Sequence, residues 1–180
     1  MSKTFTKSDF NSGDGMLTSV WGPSMWHTLH TISFNYPVNP TNQQKKQYFK
    51  FFNSLGDILP CRYCRENLKK NLKCNPLNMK TMENRKSLSL WLYKLHEIIN
   101  KMLRKKSGLS YNDVRERYEN FRSRCLKKNK KEIEKPKKNK KESGCTNPLY
   151  GNKSKCILNI VPKNTKCKTF KIDKRCIVRR

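Results

Sequence analysis

The sequence predicts an all-α fold: a bundle of four helices with a short fifth, followed by a basic, disordered tail. Three observations point there. Apolar residues recur at three- and four-residue spacings from Trp21 to Met102. No stretch alternates with period two for long. All three Trp and seven of the eight Phe lie before residue 125, so the material for a core is concentrated in one region.

Each element can be justified in turn. Trp21, Met25, Trp26, Leu29, Ile32 and Tyr36 fall on one face of a first helix. Gly22-Pro23-Ser24 places proline in its first turn, where a missing N–H costs nothing, and Pro37 ends it. Thr41 suits the N-cap of a second helix with Tyr48, Phe49, Phe52 and Leu55 on one side. Pro60 opens a third, CRYCRENLKKNLK. A fourth, Met82 to Met102, carries Leu88, Trp91, Leu92, Leu95, Ile98, Ile99 and Met102, with Lys105, Lys106 and Gly108 at its end. Ser110 caps a fifth segment, NDVRERYENFRSRC.

The chain of 180 residues is 34% hydrophobic and 30% charged, with a formal net charge of +28. Mean hydropathy is −0.93. No apolar run approaches the roughly 18 residues of a spanning helix, which excludes an integral membrane protein of that type. The first residues, MSKTFTKSDF, lack an apolar stretch of signal-peptide type. Residues 1–15 are poor in large apolar groups and read as a flexible N-terminus, residues 16–125 as the folded domain, and 126–180 as a Lys-rich tail containing cysteines. Within it KKNKKEIEKPKKNKKES (127–143) is a self-repelling linker. Such a tail offers non-specific contact to polyanions: nucleic acid, an acidic membrane face or acidic proteins. A basic run is also the ordinary solvated surface of a Lys-rich chain.

The cysteines carry the chemistry. They stand at 61, 64, 74, 125, 145, 156, 167 and 176. Cys61-Arg62-Tyr63-Cys64 is a C-x-x-C, and helical i, i+3 positions put two sulfurs on one face, about 5–6 Å apart at Cα. A helix N-terminus with Arg62 and Arg65 nearby favours thiolate over thiol. The motif reads as a redox pair, as half of a zinc site, or as a structural feature, and spacing alone leaves these open. A thioredoxin-like site would follow a strand in a βαβ unit, whereas these surroundings are helical. Trp26 and His30 are i, i+4 on one helix, and His96 and Asn100 are i, i+4 on another. Singly, each is more often core or surface than cofactor wall; together with the C-x-x-C they suggest a pocket for a planar electron acceptor.

Three ordered motifs then match a known pattern. Trp26, Leu29, His30, Thr31, Tyr36 and Pro37 (W-x-x-L-H-T-x-x-x-x-Y-P), P-C-R-Y-C-R at 60–65 and H-E-I-I-N-K-M-L-R-K at 96–105 resemble the Erv/ALR family of FAD-linked sulfhydryl oxidases. The resemblance covers about residues 19–125, and the short form looks most like members encoded by large DNA viruses. It implies FAD at the mouth of a four-helix bundle with a fifth helix, and a homodimer. It assigns Trp26, His30 and Tyr36 to the flavin pocket, His96, Asn100 and Lys105 to the adenine and ribose-phosphate side, and Tyr118 to an aromatic contact with the cofactor. Cys64 would lie beside the isoalloxazine, and Cys61 would exchange with incoming dithiols. The implied activity is disulfide formation in dithiol substrate proteins, with electrons passing through FAD to dioxygen and yielding hydrogen peroxide. For a viral member the place of action would be the host cytoplasm or the virion.

Two departures stand out. Glu97 replaces the family's Asn after His96, where a carboxylate near a diphosphate is unfavourable unless it points away. The family's structural C-x16-C pair is incomplete: Cys74 fits the first position, but Ser87 to Trp91 hold no cysteine. Cys125 would close on Cys74, or either of the two would be free. The wide spacing of Cys145, Cys156, Cys167 and Cys176 leaves a shuttle, a small zinc site and incidental cysteines all open. The function from a different class is a basic nucleic-acid-binding or zinc-binding helical module, which would be colourless where an oxidase is yellow.

Overall fold

The computed structural model describes residues 6–126, 144–166 and 172–176. The expected linker at 127–143 and Cys167 lie outside them. The chain divides into two compact units, Met1–Gly108 and Leu109–Arg180.

The first unit holds helices α1 (Lys7–Asn11), α2 (Thr18–Phe34), α3 (Asn42–Ile58), α4 (Arg62–Cys74) and α5 (Arg85–Met102). The helices α2–α5 form the expected bundle: α2 packs on α5, α3 on α4, and α4 on α5. Two of these helices begin at capping boxes, the first at the residue the sequence indicates. Thr41 closes a capping box with Gln44 at the start of α3. Asn84 does the same with Ser87 for α5, which therefore begins after Met82 rather than at it. The core is built from Leu29, Tyr36, Phe52, Leu55, Leu68, Met82, Leu88, Trp91, Leu92 and Leu95. Burial of these side chains, at roughly 1.5–3 kcal/mol each, is what holds the helices together.

Two features differ from expectation. The first bundle helix begins at Thr18, so Pro23 lies inside α2 rather than in its first turn. The N-terminal segment, expected to be frayed, carries α1 with a Thr6–Asp9 capping box. Its residues 14–16 are then pinned to the start of α4: Met16 N–H donates to the Pro60 carbonyl (2.7 Å), Arg62 N–H donates to the Asp14 carbonyl (2.9 Å), and Gly15 and Cys61 form an antiparallel bridge.

The second unit holds α6 (Tyr111–Glu119), opened by a Ser110–Asp113 capping box, and a two-stranded antiparallel sheet. The strand β1 (Ser123–Leu126) pairs with β2 (Gly144–Pro148), Ser123 opposite Pro148 and Leu126 opposite Gly144. The fifth helix is thus shorter than its expected segment, whose last residues enter β1, and order continues past residue 125. Further along, Asn152 N–H donates to the Arg175 carbonyl at 2.9 Å, beside a 3-10 turn at Lys174–Cys176. Cys145 is disulfide-bonded, while Cys156 and Cys176 are free thiols.

Candidate active site

Cys61 is the N-cap of α4, and Pro60 stands just outside the helix. Its sulfur accepts a hydrogen bond from Cys64 N–H at 3.2 Å, so it takes the place of the usual cap oxygen. Both thiols of the pair are free and half-buried. Burial pushes the Cys61 thiol up, but hydrogen bonds from the Cys64 side chain and N–H, the Thr18 hydroxyl and the Tyr63 N–H outweigh it and hold the thiol below its ordinary value. Cys64 moves the other way, raised by burial and by the neighbouring Cys61, with Thr18 and Arg65 opposing. The pair therefore has one sulfur prepared to be a thiolate and one prepared to hold a proton.

The mount is rigid. Arg62 pairs with Asp14 at 3.1 Å, and Arg65 Nη1 donates to the Leu59 carbonyl at 2.6 Å. Gly15 has φ +103, and a Cβ there would sit 2.6 Å from the Pro60 carbonyl oxygen. Only glycine fits both the backbone conformation and the close approach. The Thr18 hydroxyl, at the first residue of α2, lies 3.7 Å from Cys64 Sγ.

Farther along the same helix stand Trp26 and His30. Trp26 stacks on His96 of α5, with centroids 3.8 Å apart and planes 4° from parallel. His30 Nε2 and His96 Nδ1 share a hydrogen bond of 3.0 Å. Burial, with His96 and His27 adding to it, lowers His30 to about 3. Burial also lowers His96 to about 4, although Glu97 opposes it and Lys105 reinforces it. Both rings are neutral at pH 7, so one donates and the other accepts. Phe34 completes the group, stacked on His30 at 6.3 Å.

The remaining expected residues are placed as follows. Tyr36 is fully buried in the core; its hydroxyl donates to the Met82 carbonyl at 2.8 Å, and its ring meets Tyr48 edge-on at 4.6 Å. Asn100 Nδ2 donates to Glu97 Oε1 at 3.0 Å, so the departing carboxylate has a partner on its own helix. Lys105 is exposed just beyond α5, its N–H anchored on the Asn100 carbonyl at 2.8 Å. Tyr118 lies on α6 in the second unit, its phenol raised by burial and its ring edge-on to Phe121 at 5.8 Å. Cys74 is a free, exposed thiol. Among the described residues no three His, Cys, Asp or Glu side chains gather as a metal site needs.

Thr18, Phe34 and the 14–16 strap are the participants that sequence reasoning missed. Nothing in local spacing marks Thr18 or the strap, which act across the fold, whereas Phe34 stands four residues from His30 on the same helix, a spacing that could have found it.

Comparison with known proteins came to one answer. A family model described as the Erv1 / Alr family matches residues 23–119. The chain is similar to a probable FAD-linked sulfhydryl oxidase of Acanthamoeba polyphaga mimivirus, 35% identical over 85 residues, covering 47% of this chain and 59% of that protein. It is similar to the mitochondrial FAD-linked sulfhydryl oxidase ERV1 of Saccharomyces cerevisiae, 36% identical over 84 residues, 47% of this chain and 43% of the relative. An FAD-linked sulfhydryl oxidase of African swine fever virus is 30% identical over 99 residues, 55% of this chain and 80% of the relative. Against the first of these the chain spans about half their length. Among solved structures the yeast Erv1 core superposes with a TM-score of 0.52 at 31% identity, covering 65% of this chain and 92% of that one.

Proposed function

The chain belongs to the Erv1/Alr family, and on that premise we propose that it is an FAD-linked sulfhydryl oxidase, making disulfides in dithiol substrate proteins through Cys61 and Cys64. One observation carries the reading: two free sulfurs one turn apart at a helix N-terminus, the outer one accepting a hydrogen bond from the Cys64 amide and held toward its thiolate.

The side chains present fit a flavin adenine dinucleotide. Trp26 and His96 form a flat stacked pair with His30 beside it, and burial keeps both imidazoles neutral. Neutral aromatic surfaces can stack on and hydrogen-bond to heterocycles without leaving a buried charge uncompensated. Lys101 and Lys105 at the end of α5 supply cations suited to a diphosphate, and Glu97 is engaged by Asn100. In this assignment Trp26 and His30 serve the flavin side and His96, Asn100 and Lys105 the nucleotide side, and Tyr36, buried with its hydroxyl on the Met82 carbonyl, would support that pocket from the core. The chemistry that a bound flavin supplies is acceptance of an electron pair from a thiolate and its delivery to dioxygen as hydrogen peroxide.

The chain's own part is thiol–disulfide exchange. A substrate thiolate attacks Sγ of Cys61 in the oxidised pair; a new S–S bond forms, the Cys61–Cys64 bond breaks, and Cys64 leaves as thiolate. The substrate's second thiolate then attacks its own sulfur in the mixed disulfide, releasing Cys61 as thiolate and the substrate as disulfide. The depressed Cys61 thiol makes it the better leaving group in that second step. The exchange leaves Cys61 and Cys64 reduced; in this assignment Cys64 would be the sulfur beside a bound flavin, which would accept the electron pair.

Oxygen consumption with dithiothreitol tests this. The purified protein should be yellow and turn over, while Cys61→Ala and Cys64→Ala should stay yellow and lose turnover. Protein that remains colourless after reconstitution, or undiminished turnover in either variant, overturns the reading. The same reading takes the chain to be a homodimer, supported by an open hollow lined by Ile32, Gln47, Tyr48 and Phe51 across α2 and α3, and sedimentation would check it. The viral relatives support action in an infected cell's cytoplasm or in the virion. The basic tail, +15 over residues 126–180, supports salt-sensitive polyanion contact. No described helix is long and apolar enough to cross a membrane.

A further inference from the structure

We propose that the Thr18 hydroxyl is the hydrogen-bond partner of the leaving sulfur in the Cys61–Cys64 pair, and that the 14–16 strap exists to hold it there. This rests on the oxidase reading and adds to it a group that neither the cysteines nor the flavin-facing residues supply.

The first residues of a helix ordinarily spend their side chains on capping. At α2 the cap position is Leu17, which makes no side-chain cap, and the next hydroxyl is directed elsewhere, 3.7 Å from Cys64 Sγ. A hydroxyl suits this place because it can accept from a thiol and donate to a thiolate, following the charge as it moves. Its hydrogen bonding favours the thiolate at both sulfurs. Among the charged groups around the pair, Arg65 also favours the Cys64 thiolate by its charge, while the others are engaged with one another. On the strap, Asp14 pairs with Arg62, and on α4, Glu66 lies 3.9 Å from the same Arg62. Arg65 donates to the Leu59 carbonyl.

The strap sets the position. It runs two residues ahead of Thr18 and is tied to the redox motif by Met16 N–H on Pro60, Arg62 N–H on Asp14 and the Gly15–Cys61 bridge. Thr18 is thus fixed to the same backbone that presents Cys61. When a substrate thiolate attacks Cys61 Sγ, the electron pair of the broken S–S bond collects on Cys64 Sγ. A donor already in place there stabilises the departing thiolate, and a more stable leaving thiolate departs faster.

The test compares Thr18→Val, which keeps the shape and loses the hydroxyl, with Thr18→Ser, which keeps the hydroxyl, in the full chain. Two quantities are read: the pH titration of the reduced pair by ultraviolet thiolate absorbance, and the anaerobic rate at which dithiothreitol reduces the oxidised pair. Thr18→Val should move the thiolate titration to higher pH and slow reduction roughly tenfold, the low end for a hydrogen bond to a charged group. Thr18→Ser should behave as the unsubstituted chain, and all three should melt together. A Thr18→Val chain with unchanged titration and rate overturns the proposal, as does a Thr18→Ser chain impaired equally, which would mark a packing role. The difference in titration between the chains reads the pair, since Cys74, Cys156 and Cys176 are free thiols common to all of them, and it needs no flavin. A chain that takes up no flavin therefore sinks the oxidase reading and leaves this comparison intact, whereas a yellow, active chain indifferent to Thr18 sinks this inference alone.

Discussion

Counting the C-x16-C spacing onward from Cys74 arrives at Trp91, and the fold joins those two places without sulfur. Asn75 Nδ2 donates to the Trp91 carbonyl at 3.1 Å, and Trp91 Nε1 donates to the Asn75 carbonyl at 3.1 Å. The indole also packs edge-on against Phe52, 5.6 Å between centroids. This reciprocal pair ties the end of α4 to the middle of α5. Asn75→Ala removes one bond and should cost about 0.5–1.5 kcal/mol. Trp91→Phe removes the other, leaves the Asn75 carbonyl short of a donor and thins a side chain only 6% exposed, for about 2–3 kcal/mol. The two changes share one contact, so the double variant should fall short of their sum. Urea unfolding followed by helical circular dichroism, with excess dithiothreitol to fix every cysteine as thiol, measures all four corners of the cycle. At about 4–8 °C per kcal/mol for a unit of this size, the single variants should also separate in Tm. If Asn75→Ala leaves the midpoint unmoved, or if dithiothreitol alone weakens the unsubstituted chain as much as Trp91→Phe does, the reasoning fails.

Three further outcomes follow from the site. His30 and His96 are held at about 3 and about 4 against an ordinary 6.5, so the unfolded chain binds more protons than the folded one in between; stability should be full above about pH 6.5 and fall as pH drops toward 4, and His96→Asn should flatten that decline in urea midpoints taken across the range. Tyr36→Phe should cost about 1–3 kcal/mol by stranding the buried Met82 carbonyl, read as a lower urea midpoint at unchanged slope. Gly15→Ala should release the strap, seen as faster hydrogen exchange at the Met16 and Arg62 amides; unchanged protection there would show that the strap tolerates a side chain.

The legible parts of the molecule are those whose cause is local. Thr41 and Ser110 announce their helices because a capping hydroxyl and its partner lie three residues apart. The C-x-x-C announces its geometry for the same reason. The start of α2 was not legible: its cap position makes no side-chain bond, Pro23 imitates a first turn, and the true start is set by the bonds of residues 14–16 to the α4 entrance. Phe34 is buried but escapes the apolar stripe because His30 and Ser33, both polar, share its inner face. The β1–β2 pairing joins segments separated by seventeen residues, mostly charged, and no short window of sequence can reveal a pairing of that kind.

One rod carries both ends of the site. Thr18 touches the sulfur end and His30 the imidazole end, twelve residues apart on α2, which is about 18 Å of helical rise. Such a rod transmits displacement rather than absorbing it, so the two ends share a single alignment. Inserting one residue between them would swing one end through about 100° relative to the other. Tolerance to length change in this stretch is therefore expected to be nil.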